Sequence, residues 1–156
     1  MRVHVCIPHY AREETDASAN PHGYGSLRVG SQFQRSLALS RCLHGLLGLQ
    51  RQAEMTVLNI QHKRIDHFPA NQPSLELNIS VCSDGEHQLN NVLDLFGQRI
   101  QRVELQTDDP RQLPLACRDH LINNASDADL LMYLEDDLVI HDPAFFDKQR
   151  WFLDKT

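Results

Sequence analysis

The sequence has no long hydrophobic run and no excess of basic residues, and each of these absences argues against a class of protein. No segment approaches the roughly 20 consecutive apolar residues that a membrane-spanning helix needs, and the apolar run at the amino terminus is too short for a signal peptide. Lysine and arginine number 15 against 21 aspartates and glutamates, for a formal net charge of −6. Because nonspecific nucleic-acid binding needs a basic surface, we expect neither a transmembrane segment nor a nucleic-acid partner.

Closely spaced cysteines are also lacking. The four cysteines, Cys6, Cys42, Cys82 and Cys117, include no Cys-x-x-Cys pair. This spacing argues against a zinc knuckle or a disulfide framework. Cys6 and Cys82 lie inside apolar runs, where buried, reduced thiols are expected. Reduced thiols are typical of a reducing compartment, so the prediction is a cytoplasmic protein.

The 156 residues, of which 41% are hydrophobic, suit one globular domain spanning 1–156. Stretches with strand and helix character alternate along it, which is typical of an α/β fold with a mainly parallel sheet covered on both faces. Strands are predicted at 3–8, 55–60, 75–82, 101–106 and 130–134, with a loop at 61–74. Helices are predicted at 26–50, 87–97, 115–126 and 144–155. The last is expected to start with Asp142 as its N-cap and Pro143 at its first position. The helix at 26–50 is expected to bury one broad face formed by Val29, Phe33, Leu37, Leu39, Leu43, Leu46 and Leu47.

Three of the predicted strands end in polar residues: 8–10 (PHY), 83–85 (SDG) and 135–137 (EDD). Because the carboxyl ends of parallel strands lie at one edge of a sheet, these tips are expected to converge into a ligand site. Adjacent carboxylates are hard oxygen ligands of the kind that Mg²⁺ or Mn²⁺ prefers, and a cation would offset their mutual repulsion. Simpler interpretations stay open, since Ser83 and Glu86 match a helix-capping box and acids after a strand are common in loops.

Three stretches, taken in order, carry a resemblance to a known family. They are VHVCIPHY at 3–10, ISVCSDGE at 79–86 and CRDHLINNASDADLLMYLEDD at 117–137. Together they resemble the nucleotide-sugar-binding half of a GT-A fold glycosyltransferase of the family 2 type, with its strand and P-x-Y turn, its strand ending in DDGS, and its arginine-bearing helix before a DXD-type motif. The resemblance implies a Rossmann-related, three-layer α/β/α fold.

The resemblance also implies a role for each matching residue on the nucleotide side of the site. Tyr10 would stack on the base, and Pro8 would shape the turn that presents it. Asp84 would hydrogen-bond the base, with uracil as the favoured base and therefore a UDP-sugar as the favoured donor. Arg118 would approach the base or the phosphates. From the residues alone, however, Arg118 also fits a solvated helix position and Tyr10 fits ordinary loop packing.

The resemblance also implies roles for the three acids at 135–137, which match the DXD-type motif. Asp136 would face the ribose, and Asp137 would bind the divalent cation, Mn²⁺ or Mg²⁺. Glu135 occupies the variable first place and would assist either role. The sequence departs from the family elsewhere, because Ser83 stands for the first acid of DDGS and Glu86 stands for its serine.

The expected activity is glycosyl transfer from a nucleotide-diphosphate sugar to an acceptor hydroxyl. In the family, an acceptor-binding half follows the DXD strand and supplies the catalytic base, so we expect that base outside residues 1–156 and leave the acceptor unknown. The alternative is a noncatalytic nucleotide-binding module or an inactive fragment. A nucleotidyltransferase ranks lower, because such enzymes carry a glycine-rich, basic loop after the first strand and residues 9–28 do not match one.

Overall fold

The computed structural model describes residues 1–12 and 30–156, so the predictions for Val29 and for most of the loop after the first strand lie outside the described residues. None of its described helices has the length and hydrophobicity needed to cross a lipid bilayer. The strands are β1 (Arg2–Pro8), β2 (Glu54–Asn59), β3 (Arg64–Pro69), β4 (Glu76–Ser83), β5 (Gln101–Glu104) and β6 (Leu130–Tyr133). The helices are α1 (Gln32–Gly48), α2 (Asn90–Phe96), α3 (Leu113–Asn123) and α4 (Phe145–Leu153).

Four of the strands form a parallel sheet in the order β5-β4-β1-β6. Each neighbouring pair is parallel, which confirms the predicted α/β fold with a parallel central sheet. The apolar strand β1 lies inside this sheet, and its residues Val3, Val5 and Ile7 are completely buried. A strand that is covered on both faces needs such a nearly continuous apolar sequence.

Helices cover both faces of the sheet. Because side chains alternate along a strand, Val3, Val5 and Ile7 share one face and join the main core with residues of α1, α2 and α4. The other face is different in character. There Cys6 and Cys82 pack against α3 in a small second cluster that also contains Cys117 and Leu121. The candidate site therefore lies at the edge of a sheet that packs against a large apolar core on one face and a small cluster on the other.

The prediction for residues 55–74 is wrong in one respect. Strand β2 does form, but it pairs antiparallel with β3, which lies in the predicted loop, and the pair makes a separate two-stranded sheet. The turn between them uses Lys63 at φ 50° and is closed by Asn59, whose Oδ1 accepts a hydrogen bond from the His62 N–H at 3.1 Å. The sequence did not indicate β3 because most of its residues are polar. Its only large apolar residues, Ile65 and Phe68, are both exposed.

The predicted core face of α1 is also wrong in part. Phe33 and Leu37 are 77% and 39% exposed, and the buried stripe consists of Leu39, Cys42, Leu43 and Leu46. Leu37 lies two residues before Leu39, which places it on the opposite side of a helix with 3.6 residues per turn. One turn before Leu39, the same stripe continues through Arg35, which brings a cation to the edge of the core.

The start of α4 is displaced from the prediction. The helix begins at Phe145 with Ala144 as its N-cap, not with Asp142 and Pro143 as N-cap and first residue. Asp142 still stabilises this end of the helix, because its Oδ1 accepts a hydrogen bond from the Ala144 N–H at 3.0 Å and its Oδ2 accepts one from Lys148 Nζ at 2.6 Å. The acid lies in the turn that precedes the helix.

Candidate functional site

The carboxyl ends of β1, β4 and β6 lie side by side at one edge of the sheet, as the sequence predicted. The chain proceeds from β1 to β4 and β5 on one side and then returns to place β6 on the other side of β1. The strand order therefore reverses between β1 and β6. In open α/β sheets, this is the position where a crevice outside the carboxyl ends binds ligands.

A buried charge cluster fills the gap between the ends of β1 and β6. His9, which is completely buried, lies with its Nδ1 2.7 Å from Oδ2 of Asp136. Arg35 donates from Nη2 to both oxygens of the same carboxylate, at 2.8 and 2.6 Å. The Leu89 N–H donates to Nε2 of His9 at 3.1 Å, so Nε2 is the acceptor and Nδ1 carries the proton that is donated to Asp136.

Asp136 is consequently a neutralised, internal carboxylate. It is only 5% exposed, and its two oxygens accept hydrogen bonds from both His9 and Arg35. These bonds tie α1, β1 and the segment after β6 together. A ribose hydroxyl that donated to Asp136 would have to share its oxygens with the two existing donors, and the ribose assignment stays a prediction.

Asp137 and Glu135 lie in a turn closed by a hydrogen bond from the Leu138 N–H to the Glu135 carbonyl at 3.2 Å. The Asp137 side chain is exposed and makes no hydrogen bond or ion pair within residues 1–12 and 30–156. Glu135 accepts a hydrogen bond from the Tyr133 hydroxyl at 2.7 Å, and burial together with this bond raises the pKa of Tyr133. Both Glu135 and Asp137 are exposed, and the binding of a divalent cation by Asp137 stays a prediction.

Tyr10 and Asp84 meet through a residue that the sequence did not indicate. The Tyr10 ring packs against the His87 ring with centroids 5.0 Å apart and an interplanar angle of 37°. On the other side, His87 Nδ1 lies 2.7 Å from Oδ2 of Asp84. The Ala11 N–H also donates to the His87 carbonyl at 2.8 Å. The structure thus brings the tips of β1 and β4 together as an aromatic and acidic pair.

Asp84 shapes the turn after β4. Its Oδ1 accepts hydrogen bonds from the N–H groups of Glu86 and His87 at 3.0 and 2.7 Å. Burial raises the pKa of this carboxyl, but the hydrogen bonds from His87 and Glu86 outweigh burial and the net pKa is lowered. The alternative capping box does not form, because helix α2 begins only at Asn90 and Ser83 accepts from the Gly85 N–H instead.

Pro8 and Arg118 lie in contrasting places. Pro8 is the buried last residue of β1, paired with Cys82 of β4, and it immediately precedes the two side chains that enter the site. Arg118 is exposed in the middle of α3, where it donates to its neighbour Asp119 at 3.1 and 3.3 Å. Among the described residues, no hydrogen bond joins Arg118 to the other predicted site residues, and its role stays a prediction.

Sequence reasoning missed three residues of this site: His9, Arg35 and His87. One signal was present for Arg35, since it continues the Leu39–Leu43 stripe of α1 at a spacing of four residues, and a cation on a core face requires an internal acid. His9 lies between two predicted site residues at the tip of β1. His87 could not be inferred, because its position depends on the turn that Asp84 forms.

A second group of side chains could hold a metal on the face of the sheet against α3. The sulfurs of Cys6, Cys82 and Cys117 all lie within 4.8 Å of one another, and the three thiols are free and buried, as expected for Cys6 and Cys82. Hydrogen bonds from Cys117 and then Cys82 lower the pKa of Cys6. Hydrogen bonding to Cys6 and Cys82, together with burial, raises the pKa of Cys117. The three sulfurs are therefore close enough to hydrogen-bond to one another.

Neither a protein-family model, nor a curated protein, nor a solved structure matches this chain. The fold class rests on the observed strand order and layers. The resemblance to glycosyltransferases rests on the three sequence stretches alone, and its functional content enters below as a proposal.

Proposed function

We propose that the carboxyl edge of the sheet binds a nucleotide-diphosphate sugar and that the protein transfers the sugar to an acceptor hydroxyl. One observation carries the proposal. Where the strand order reverses, Asp137 directly follows the buried and neutralised Asp136. The Asp137 carboxylate is exposed and has no ion-pair partner in the described part of the chain. This arrangement gives an open acid on a fixed support at the position where α/β sheets bind phosphorylated ligands.

On the nucleotide side, Tyr10 offers its ring as the surface on which the base stacks. The packing of Tyr10 against His87 restricts the orientation of that ring. Asp84 is the acceptor for a base N–H, and uracil offers such a donor. Since Asp84 already accepts three hydrogen bonds from its own turn, a base would approach the remaining lone pairs of a carboxylate that is held in place.

On the phosphate side, Asp137 holds the divalent cation, with Glu135 beside it. A bound Mn²⁺ or Mg²⁺ would offset the negative charge that develops on the diphosphate leaving group. Asp136 fixes the turn that carries both acids, because His9 and Arg35 hold its carboxylate. The residues described here orient the donor, and we assign no catalytic base among them.

The test compares UDP binding by the purified protein and by two variants, in the presence of Mn²⁺. Asp137→Ala is expected to abolish the Mn²⁺-dependent part of binding while the circular dichroism spectrum stays that of the wild type. Asp127→Ala is the matched control. That exposed acid precedes β6 at the amino edge of the sheet, where it pairs with Arg2 at 2.6 Å.

Two results would decide against the assignment. If Asp137→Ala binds UDP with Mn²⁺ as well as the wild type does, the cation is not held by Asp137. If Asp127→Ala loses binding equally, the effect reflects overall charge and not this site. A donor-hydrolysis assay on the same samples then separates a transferase from a binding module, since metal-dependent binding without turnover supports the module.

A further inference from the structure

Three buried thiols converge from three separate elements on the face of the sheet opposite the main core. Cys6 lies on β1 and Cys82 on the neighbouring strand β4, where Cys82 pairs with the residue two positions after Cys6. Side chains two residues apart on a strand share a face, so both thiols point the same way, and α3 supplies Cys117 above them. The exposed fractions are 2% for Cys6 and zero for Cys82 and Cys117.

The spacing of the sulfurs suits a common metal ion. Zinc binds thiolate sulfur at about 2.3 Å, so two sulfurs on one tetrahedral ion lie about 3.8 Å apart. The three sulfurs here lie within 4.8 Å of one another, so they need to close by about 1 Å at most. We propose that Cys6, Cys82 and Cys117 form a buried thiolate site for a thiophilic d¹⁰ cation, Zn²⁺ or Cu⁺.

The surroundings of the three sulfurs favour a soft ion over a hard one. Leu121 is part of the same cluster, and Val103 and Leu105 pack against it. Among the described residues, those that line the cavity beside Cys6 include no carboxylate. Mg²⁺ and Mn²⁺ prefer oxygen ligands, whereas thiolates select Zn²⁺ and Cu⁺. This proposal therefore concerns a different ion and a different place from the cation at Asp137.

One side of the cluster is open to a polar cavity. The cavity measures about 230 Å³ and is lined by Cys6 and by polar side chains that include His4, Ser80 and His120. It offers an entry path and room for a fourth ligand, which Zn²⁺ requires and Cu⁺ does not. His120 is a candidate for that position, because it lines the cavity and follows Cys117 by three residues on α3.

Metal binding by the three thiols needs no further reactant. Each sulfur that still carries a proton releases it to water as the sulfur–metal bond forms, and no electron is transferred. Three thiolates around Zn²⁺ leave a net charge of −1, against −3 without an ion. The cation thus removes most of the repulsion that three deprotonated sulfurs would have in an apolar environment.

Such an ion would fasten α3 to the sheet. Among the residues that the structure describes, the cluster on this face has one leucine and three cysteines as its buried members, whereas the opposite core contains nineteen buried residues. A metal bound to β1, β4 and α3 would add three strong bonds where apolar contact is scarce. The inference goes beyond glycosyl transfer and does not depend on it.

The experiment measures metal uptake by the purified, fully reduced protein after dialysis against Zn²⁺ and, separately and without oxygen, against Cu⁺. Elemental analysis is expected to find one ion per chain in at least one arm, and the arms show which ion the site takes. Cd²⁺ added to the zinc-free protein is expected to produce the ultraviolet charge-transfer absorption of cadmium thiolates. A folded wild type that retains neither ion and shows no such absorption would overturn the proposal.

Variants assign the site to the three sulfurs. Cys82→Ala and Cys117→Ala are expected to weaken binding by about 100-fold or more, since each removes a direct ligand and loss of an outer-shell partner alone costs 10- to 100-fold. Cys42→Ala is the matched control, because Cys42 is equally buried but lies on α1 outside the cluster. Cys42→Ala is expected to bind the metal as the wild type does.

Unchanged metal uptake by both cluster variants, or an equal loss of metal uptake in Cys42→Ala, would overturn the assignment. If both cluster variants fail to fold, the cadmium spectrum of the wild type tests the proposal instead. Cadmium–thiolate absorption supports the site, and its absence overturns the site.

Discussion

The imidazole of His9 and the carboxylate of Asp136 form a 2.7 Å contact across the gap between the carboxyl ends of β1 and β6. Both side chains are buried, and Arg35 completes the charge balance from α1. The contact places a fixed, satisfied acid immediately before the exposed Asp137. The same three residues therefore determine the stability of this edge of the sheet and the support for the proposed site.

Removing Asp136 is expected to destabilise the fold strongly. Asp136→Ala leaves Arg35 and His9 without their partner in a buried position, and losses of this kind reduce the free energy of unfolding by about 3–5 kcal/mol. Urea denaturation followed by circular dichroism measures the change. Asp119→Ala, which removes the exposed partner of Arg118, is the control and is expected to change stability by about 0.5 kcal/mol or less. A loss below about 1 kcal/mol for Asp136→Ala would contradict the buried cluster.

The tautomer of His9 gives a second, independent test of this cluster. Because the Leu89 N–H donates to Nε2 at 3.1 Å, the proton of the neutral ring is expected on Nδ1. Long-range ¹H–¹⁵N correlation spectra distinguish the two nitrogen positions in a neutral imidazole. The expected spectrum shows His9 as the Nδ1–H form with a slowly exchanging proton. A spectrum of the Nε2–H form would mean that Leu89 and Asp136 do not both hydrogen-bond this ring.

The pair formed by Arg51 and Asp147 is expected to make stability depend on pH. Arg51 donates to both oxygens of Asp147, at 2.8 and 2.9 Å, and this contact lowers the pKa of the carboxyl. A folded-state pKa below that of the unfolded chain adds stability above about pH 4, where the unfolded carboxyl is ionised. That contribution is lost as the pH falls through the folded-state pKa.

Asp147→Asn tests this sign. The variant is expected to be less stable than the wild type at pH 7 by roughly 1 kcal/mol or less, because Asp147 is 41% exposed and solvent screens the pair. The difference in unfolding free energy should shrink as the pH is lowered from 5 towards 2. In an Arg51→Gln background, the same substitution should lose most of its pH dependence. A difference that grows towards acid pH would be inconsistent with a lowered pKa.

Tyr10→Ala is expected to weaken UDP binding by roughly 5- to 150-fold, because stacking of one base on an aromatic ring contributes about 1–3 kcal/mol. Tyr10→Phe keeps the ring and should bind UDP nearly as the wild type does. Isothermal titration calorimetry with Mn²⁺ present compares the three proteins. Equal affinity for Tyr10→Ala and the wild type would remove the base-stacking role.

The architecture was largely predictable because burial leaves a clear pattern in the sequence. The apolar runs around Val5 and Ile79 gave the central strands, and the parallel order followed from the helices between them. Strand β2 was predicted, but β3 and its antiparallel pairing with β2 were not, since both strands are exposed and make no contribution to the core pattern. The buried face of α1 was misjudged because a helix of this kind carries apolar residues such as Phe33 on its outer side as well.

Contacts between distant residues explain what else the sequence did not show. Cys6, Cys82 and Cys117 are far apart along the chain, and only the parallel pairing of β1 with β4 and the packing of α3 bring their sulfurs together. Likewise, the residues near Arg35 in the sequence do not predict its ion pair with Asp136, which lies 101 positions away. Strand tips could be predicted from local pattern, whereas pairings among side chains required the fold.

We propose above that Asp137 and the neighbouring strand tips bind a nucleotide diphosphate together with a divalent cation. Calorimetric titration of the purified protein with UDP, once with Mn²⁺ and once with the metal removed by a chelator, tests it most directly. We expect saturable binding of one UDP per chain with Mn²⁺ and a large loss of affinity without the metal. Absence of UDP binding in both titrations, or equal binding in both, would contradict it.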